Sequence, residues 1–464
     1  MTARHCFCVF ALLLLAPIAM ADEMSLPDFE RVELDNGTVL LLAERHDVPL
    51  VGLQAIVRGG AIADPEGGNG LASLLAGLMQ KGAGRRDAAA FAEAVAAVGG
   101  ELSVAAGLES ISVSAEFLAR DAELMLELVA DLLQRPTLDK DELAKLRDRS
   151  INLIRAAKDS DPGDLLPSYG NAFLFGAHPY GNPLGGSETS LATITHDNLL
   201  EYYANHVGAD RLIIAVIGDF NAEAMKARLT ASFGAWRTAT ADRPLLQHST
   251  QQSGRRVLLV DKPGATQTYF WVGNVGVSIH YPQHAELNLA NTVFGGRFTS
   301  MLNTAMRIES GLTYSARSIL TRPSRPGSVV ISSFTETGTT TGAIDMALEI
   351  LSELRDSGID EEMITSARNY IMGQFPPRLE TAAQLAAQLA VLEAFGLDRS
   401  YIDGYGAALA AASEDSVAAV IDEVYPGVDN LVFILIGDAA QIRDTVSQYG
   451  PVTELSMTAP NFRP

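Results

Sequence analysis

Thiols are almost missing from this chain: Cys6 and Cys8 are its two cysteines among 464 residues. Beyond residue 8 there can be no disulfide framework and no Cys-ligated metal. Positive charge is scarce as well, with 34 Lys and Arg against 56 Asp and Glu, a formal net charge of −22 at pH 7. Nucleic acid and anionic membrane surfaces are bound through basic clusters, so neither suits this chain as a partner. After residue 21 no apolar run approaches the roughly 20 residues that a membrane-spanning helix needs. No membrane insertion is therefore expected.

An apolar run does stand at the start, Val9 to Ile18, preceded by Arg4 and followed by the small residues of Ala19-Met20-Ala21. That order is the pattern of a secretory signal peptide over residues 1–21. Its removal leaves 464 − 21 = 443 residues without a thiol and takes away Arg4, moving the charge from −22 to −23. The expected location is periplasmic or secreted. A chain of that length exceeds one hydrophobic core and implies two or more domains.

Two β-branched apolar stretches end alike, Arg211 to Gly218-Asp219 and Leu431 to Gly437-Asp438, at an offset of 438 − 219 = 219 residues. Each reads as a buried strand stopped at a glycine turn, and together they point to a tandem duplication. Between the halves, Thr238 to Arg255 is polar and without period, as a linker is. The expected organisation is residues 22–237, a linker at 238–255, and residues 256–464. In the first half, strands are predicted at 31–42 around Asp35-Asn36-Gly37 and at 50–57, with alternation over 101–117. Helices are predicted from about 70, capped by Asn69, and at 87–98, 119–133 and 140–157. Both halves read as α+β layers, helices on one face of a sheet.

Several stretches in order resemble the pitrilysin/insulinase family, in its short-chain branch related to the mitochondrial processing peptidase. They are Leu34 to Gly37, Gly70 to Gly82, His178-Pro179-Tyr180-Gly181, Tyr203 with Asn205, Gly218-Asp219, Phe294-Gly295-Gly296 with Phe298 and Ser300, and Arg307 to Tyr314. The resemblance implies two similar domains, each a largely antiparallel sheet with helices on one face, forming half of a clamshell with a processing-peptidase-like metallohydrolase fold. In such families an H-x-x-E-H helix supplies two imidazoles to Zn²⁺ and a general base. The corresponding positions here are Ser73, Ala76 and Gly77, and none of the three side chains can replace those groups. The third ligand, a Glu on a later helix, is also missing from Ser150 to Lys158. No metal is therefore expected in this chain.

The family's R-x-x-x-G-L-x-Y pattern is intact in Arg307 and Tyr314. By resemblance these donors bind substrate carbonyls and stabilise a developing oxyanion. By resemblance Glu101, Leu102, Ser103 and Val104 correspond to the edge strand on which active relatives lay an extended substrate, although their alternation suits an ordinary half-buried strand better. His178 beside Pro179, Ser187 outside any nucleophile elbow, and the acidic run Asp159, Asp161, Asp164 read as structural. The resemblance thus implies a non-catalytic subunit, in a heterodimer or larger assembly, that supplies Arg307 and Tyr314 in trans to a homologous zinc-bearing subunit acting on peptides. A metal-free peptide-binding or scaffolding protein of the cell envelope, or a peptide-binding homodimer, stays open beside it.

Overall fold

The computed structural model describes residues 25–464; the expected signal peptide, with Cys6 and Cys8, lies outside the described residues. Two six-stranded sheets organise the chain. In the first half the strands are β1 (Glu30–Glu33), β2 (Val39–Glu44), β3 (Leu50–Arg58), β6 (Glu101–Ala106), β7 (Ser110–Leu118) and β8 (Leu212–Gly218), with a separate two-residue hairpin of β4 (Gly82–Ala83) and β5 (Arg86–Asp87). In the second half they are β9 (Arg256–Asp261), β10 (Gln267–Val275), β11 (Ala316–Leu320), β12 (Ser328–Glu336), β13 (Val432–Gly437) and β14 (Val452–Ser456).

The sheet orders are β1-β2-β8-β3-β7-β6 and β11-β12-β10-β13-β9-β14. Five strands therefore recur in the same order, β2-β8-β3-β7-β6 as β9-β13-β10-β12-β11. Each set has one parallel pair at the same place, β2 with β8 and β9 with β13, and is otherwise antiparallel. The two Ile-Gly-Asp stretches end β8 and β13, both buried along their whole length. A strand buried on both faces has no reason to alternate, which is why these two read as continuous apolar runs.

Helices of the same half cover one face of each sheet and enclose its main core. The other face is covered by a helix from the opposite half. Helix Ala382–Phe395 lays Ala382, Leu385, Ala386 and Leu389 on Leu41, Ile56, Ile213 and Ile217 of the first sheet. Helix Leu166–Phe175 lays Leu166, Tyr169 and Leu174 on Leu258, Trp271 and Ile434 of the second. The approach is close: a Cβ at Gly52 on β3 would stand 2.4 Å from Ala383 N, so only glycine fits under that helix. Each Leu buried in this way contributes roughly 1.5–3 kcal/mol, which ties the halves together through apolar surface.

Polar contacts reinforce the exchange. Tyr180 donates to Glu109 Oε1 at 2.6 Å, and the backbone of Ser324 donates to Glu109 Oε2 at 3.0 Å, joining a loop of the first half to the β11–β12 connection. Residues 238–255 form neither helix nor strand. They are nonetheless held, since Asn274 exchanges hydrogen bonds with Gln252 and Arg325 donates to Leu246 O at 3.2 Å.

Candidate functional site

Helix Leu71–Met79 carries Ser73, Ala76 and Gly77, the positions that the sequence resemblance aligns with a metal motif. Gly70, at φ 97, is the cap residue, and Asn69 does not cap it: the Asn69 Oδ1 is buried without a partner. Asp64 reaches across the intervening loop instead and accepts from Gly70 N at 2.8 Å and Ala72 N at 2.9 Å. A carboxylate serves here because two free amide donors and the helix dipole converge on it. Burial nevertheless pushes the Asp64 carboxyl up to about 7, with the amide hydrogen bonds opposing the shift.

The three motif positions are engaged in packing. Ser73 donates its hydroxyl to Leu184 O at 2.7 Å. Ala76 is buried in the core of the first half, and a Cβ placed on Gly77 would touch Leu146 at 3.6 Å on helix Lys140–Ser160. That second helix offers no carboxylate over Ser150 to Lys158 and presents Leu153, 60 % exposed, in the same stretch. Among the described residues no group of three or more His, Cys, Asp or Glu side chains could hold a metal ion. A zinc ion does not fit here, because the donor set has neither imidazole nor carboxylate.

In the second half the corresponding segment is built differently. After helix His284–Asn291 the chain winds as a π-helix over Thr292–Gly296 and again over Thr304–Glu309. Such windings are rare and gather at functional sites. Arg307 lies on the second. Its guanidinium carbon is 4.8 Å from the Phe298 ring centre and 4.2 Å from that of Tyr314, sandwiched between two aromatic faces. Each contact is worth about 0.5–1 kcal/mol when exposed, and here they orient the cation more than they stabilise the fold.

Gly311 makes the sandwich possible: at φ +67 it turns the chain back, a conformation costly for other residues. Thr313 N then donates to Met306 O at 3.2 Å, and the buried Thr313 hydroxyl accepts from Ser333 at 3.1 Å, fastening the returning loop. Tyr314 ends 71 % exposed and Phe298 59 % exposed, on one rim with the guanidinium. Arg307 has no carboxylate within ion-pair distance among the described residues. Phe298, nine residues before Arg307, forms the second aromatic face, a role its sequence pattern alone does not reveal.

Glu101, Leu102, Ser103 and Val104 lie in β6, the outer strand of the first sheet, beside helix Leu71–Met79. One of its carbonyls, Val104 O, accepts from Gln80 Nε2 at 3.1 Å. His178 accepts from Tyr180 N at 3.1 Å and its other nitrogen meets Gln247 O at 3.1 Å, a loop-fixing role. Ser187 caps helix Glu188–Thr193. At the Asp159 end of its helix, Lys262 Nζ donates to Lys158 O and Asp159 O at 2.7 Å each, a cation where carbonyls are free.

The fold and the emptied motif define a class: a two-domain α+β protein of metallopeptidase architecture without the ligand set. Residues 39–188 match the family model described as "Insulinase (Peptidase family M16)" and residues 193–371 the one described as "Peptidase M16 inactive domain". The chain belongs to the M16, or pitrilysin/insulinase, family. The boundary between the two matches precedes β8, which nevertheless lies inside the first sheet.

An uncharacterized zinc protease of Mycobacterium leprae is 28 % identical over 66 % of this chain and 68 % of its own length. A protein of Helicobacter pylori named non-peptidase homolog YmxG is 24 % identical over 74 % of this chain and 78 % of its own. In fold, the crystal structure of a peptidase M16 inactive domain from Pseudomonas fluorescens superposes with a TM-score of 0.82 at 22 % identity, covering 88 % of this chain and 98 % of that one. Relatives thus carry both names, protease and non-peptidase. At residues 73, 76 and 77 this chain offers neither imidazole nor carboxylate.

Proposed function

We propose that this chain is a non-catalytic subunit of a heteromeric zinc endopeptidase of the periplasm or extracellular space, supplying Arg307 and Tyr314 in trans to a homologous subunit with an intact H-x-x-E-H helix. The observation that carries the reading is the sandwiched, carboxylate-free guanidinium of Arg307, held with a phenol on an exposed rim while the chain's own metal positions serve packing. Fixed donors aimed at a developing negative charge lower a barrier because they need no reorganisation. Such donors have no reaction to serve in a chain without a metal centre, so they serve a facing one. Peptide is the substrate class. This chain's part is to bind and orient it and to donate hydrogen bonds from the Arg307 guanidinium and Tyr314 hydroxyl.

A second reading, a metal-free binding or scaffolding protein, draws on Phe298, Ile308 and Tyr314, three exposed apolar side chains around the same arginine. Affinity capture of the exported full chain from its own cell envelope separates the two. Recovery of a similar-length relative with H-x-x-E-H, and peptide hydrolysis by the recovered complex, supports the subunit. Recovery of unrelated envelope proteins without hydrolysis contradicts it.

A further inference from the structure

Two cavities adjoin at the π-wound segment and share Gly296 and Tyr370 as walls. The smaller, ≈ 280 Å³, is lined by Arg297, Arg307 and Arg317. The larger, ≈ 400 Å³, is lined by Arg322 and Arg378 together with His284. No Asp or Glu lines either one, in a chain whose acids outnumber its bases by 56 to 34. None of the five arginines forms an ion pair among the described residues, whereas fifteen other arginines of the chain do, from Arg31 to Arg443.

The neighbours of these arginines are neutral donors and acceptors. Arg297 donates to Ser366 Oγ, Arg317 to Ser315 Oγ and Arg322 to Asn288 Oδ1. On the wall of the larger cavity, Arg322 Nη1 and His284 Nε2 are buried without a partner. The His284 ring is stacked on Tyr401 at 4.2 Å and Tyr405 at 5.5 Å. Burial, then Arg322, hold its imidazole below the ordinary range, opposed by backbone hydrogen bonds at Pro282 and Tyr401 and by Glu286. An orphaned buried donor costs free energy that an incoming acceptor recovers.

From this trough we infer a binding site for an acidic peptide segment, with carboxylate side chains spread along the two cavities. The inference rests on the reading that the Arg307 rim meets peptide, and it adds the class of sequence that is preferred. Five guanidiniums lining two adjoining cavities call for several negative charges. The larger cavity alone falls in the size range of ligand pockets, about 300–1,000 Å³, more than one phosphate fills. Guanidinium groups match carboxylates by paired N–H donors.

The test is fluorescence anisotropy with the purified full chain and a labelled extended peptide of alternating Glu and small residues, against the same peptide with Gln for every Glu. The acidic form is expected to bind about tenfold tighter or more, the size of one charge-assisted hydrogen bond, with the difference shrinking as salt rises. Arg378→Gln and, separately, the exposed Arg317→Gln should each erase most of that difference and leave the Gln peptide unchanged; unaltered thermal unfolding shows that both variants fold. Equal binding of the two peptides, insensitivity to both substitutions, or full competition by inorganic phosphate at equal affinity overturns the inference. The assay needs no partner subunit. Acid preference without any stimulation of a zinc-bearing relative would refute the trans-donation reading alone, and stimulation without acid preference would refute this one alone.

Discussion

Helix Leu71–Met79 and the segment from His284 to Glu309 occupy equivalent places in the two halves. Each follows a central strand, β3 or β10, and packs beside an outer strand, β6 or β11. The first is a regular α-helix whose Leu71, Leu74, Leu75 and Leu78 are buried and whose one motif hydroxyl is spent on a carbonyl. The second is twice π-wound, leaves Arg307 on an exposed aromatic rim and borders two arginine-lined cavities. A duplicated slot has thus been filled once for packing and once for presenting donors. Side-chain chemistry at a few positions separates the two uses, because the strand framework is the same.

The widest separation is expected in activity. In a complex reconstituted with a zinc-bearing relative, Arg307→Ala should cut turnover about 10²- to 10³-fold, as removal of one oxyanion donor does. Tyr314→Phe should cost less, since its ring still stacks on the guanidinium. The pair of values breaks the comparison if Ser73→Ala on the other slot costs as much.

In stability the order reverses. Leu75→Ala, in the core beneath the first slot, should cost about 2–5 kcal/mol in denaturant unfolding, while Arg307→Ala should cost at most about 1–2 kcal/mol, the sum of its two ring contacts. A smaller loss, about 1 kcal/mol, is expected for Gly311→Ala, because a Cβ strains its φ of +67. That substitution should also lower complex turnover by loosening Tyr314 from Arg307.

A pH dependence at the cap of the first slot belongs to the same comparison. Asp64 stands at about 7 when folded against an ordinary 3.8, so the folded chain keeps a proton that the unfolded chain has released. Its contribution to stability therefore falls as pH rises from about 4 to about 7 and is flat outside that window. Asp64→Asn should remove this component of the slope, read as the difference between variant and parent unfolding curves.

Much of this was legible in residue order. The fully buried strands ending at Gly218 and Gly437 and the turn at Gly37 each carry a local signal, and their places in the fold match it. What could not be read is non-local. Helix Ala382–Phe395 shows an apolar pattern, but nothing in it says that it covers the sheet of the other half. Asn69 has the chemistry of a cap, yet Asp64 wins because the loop between them folds it onto the amides. The first π-winding, Thr292–Gly296, packs against β11, which follows it in the chain, so its surroundings are not visible in the local sequence.

The most direct test is elemental zinc analysis of the purified full chain, paired with a peptide-hydrolysis assay alone and after mixing with a relative that has H-x-x-E-H. The account predicts substoichiometric zinc, no hydrolysis alone, and chelator-sensitive hydrolysis in the mixture that exceeds that of the relative by itself. One zinc per chain together with hydrolysis by the unmixed protein would contradict it.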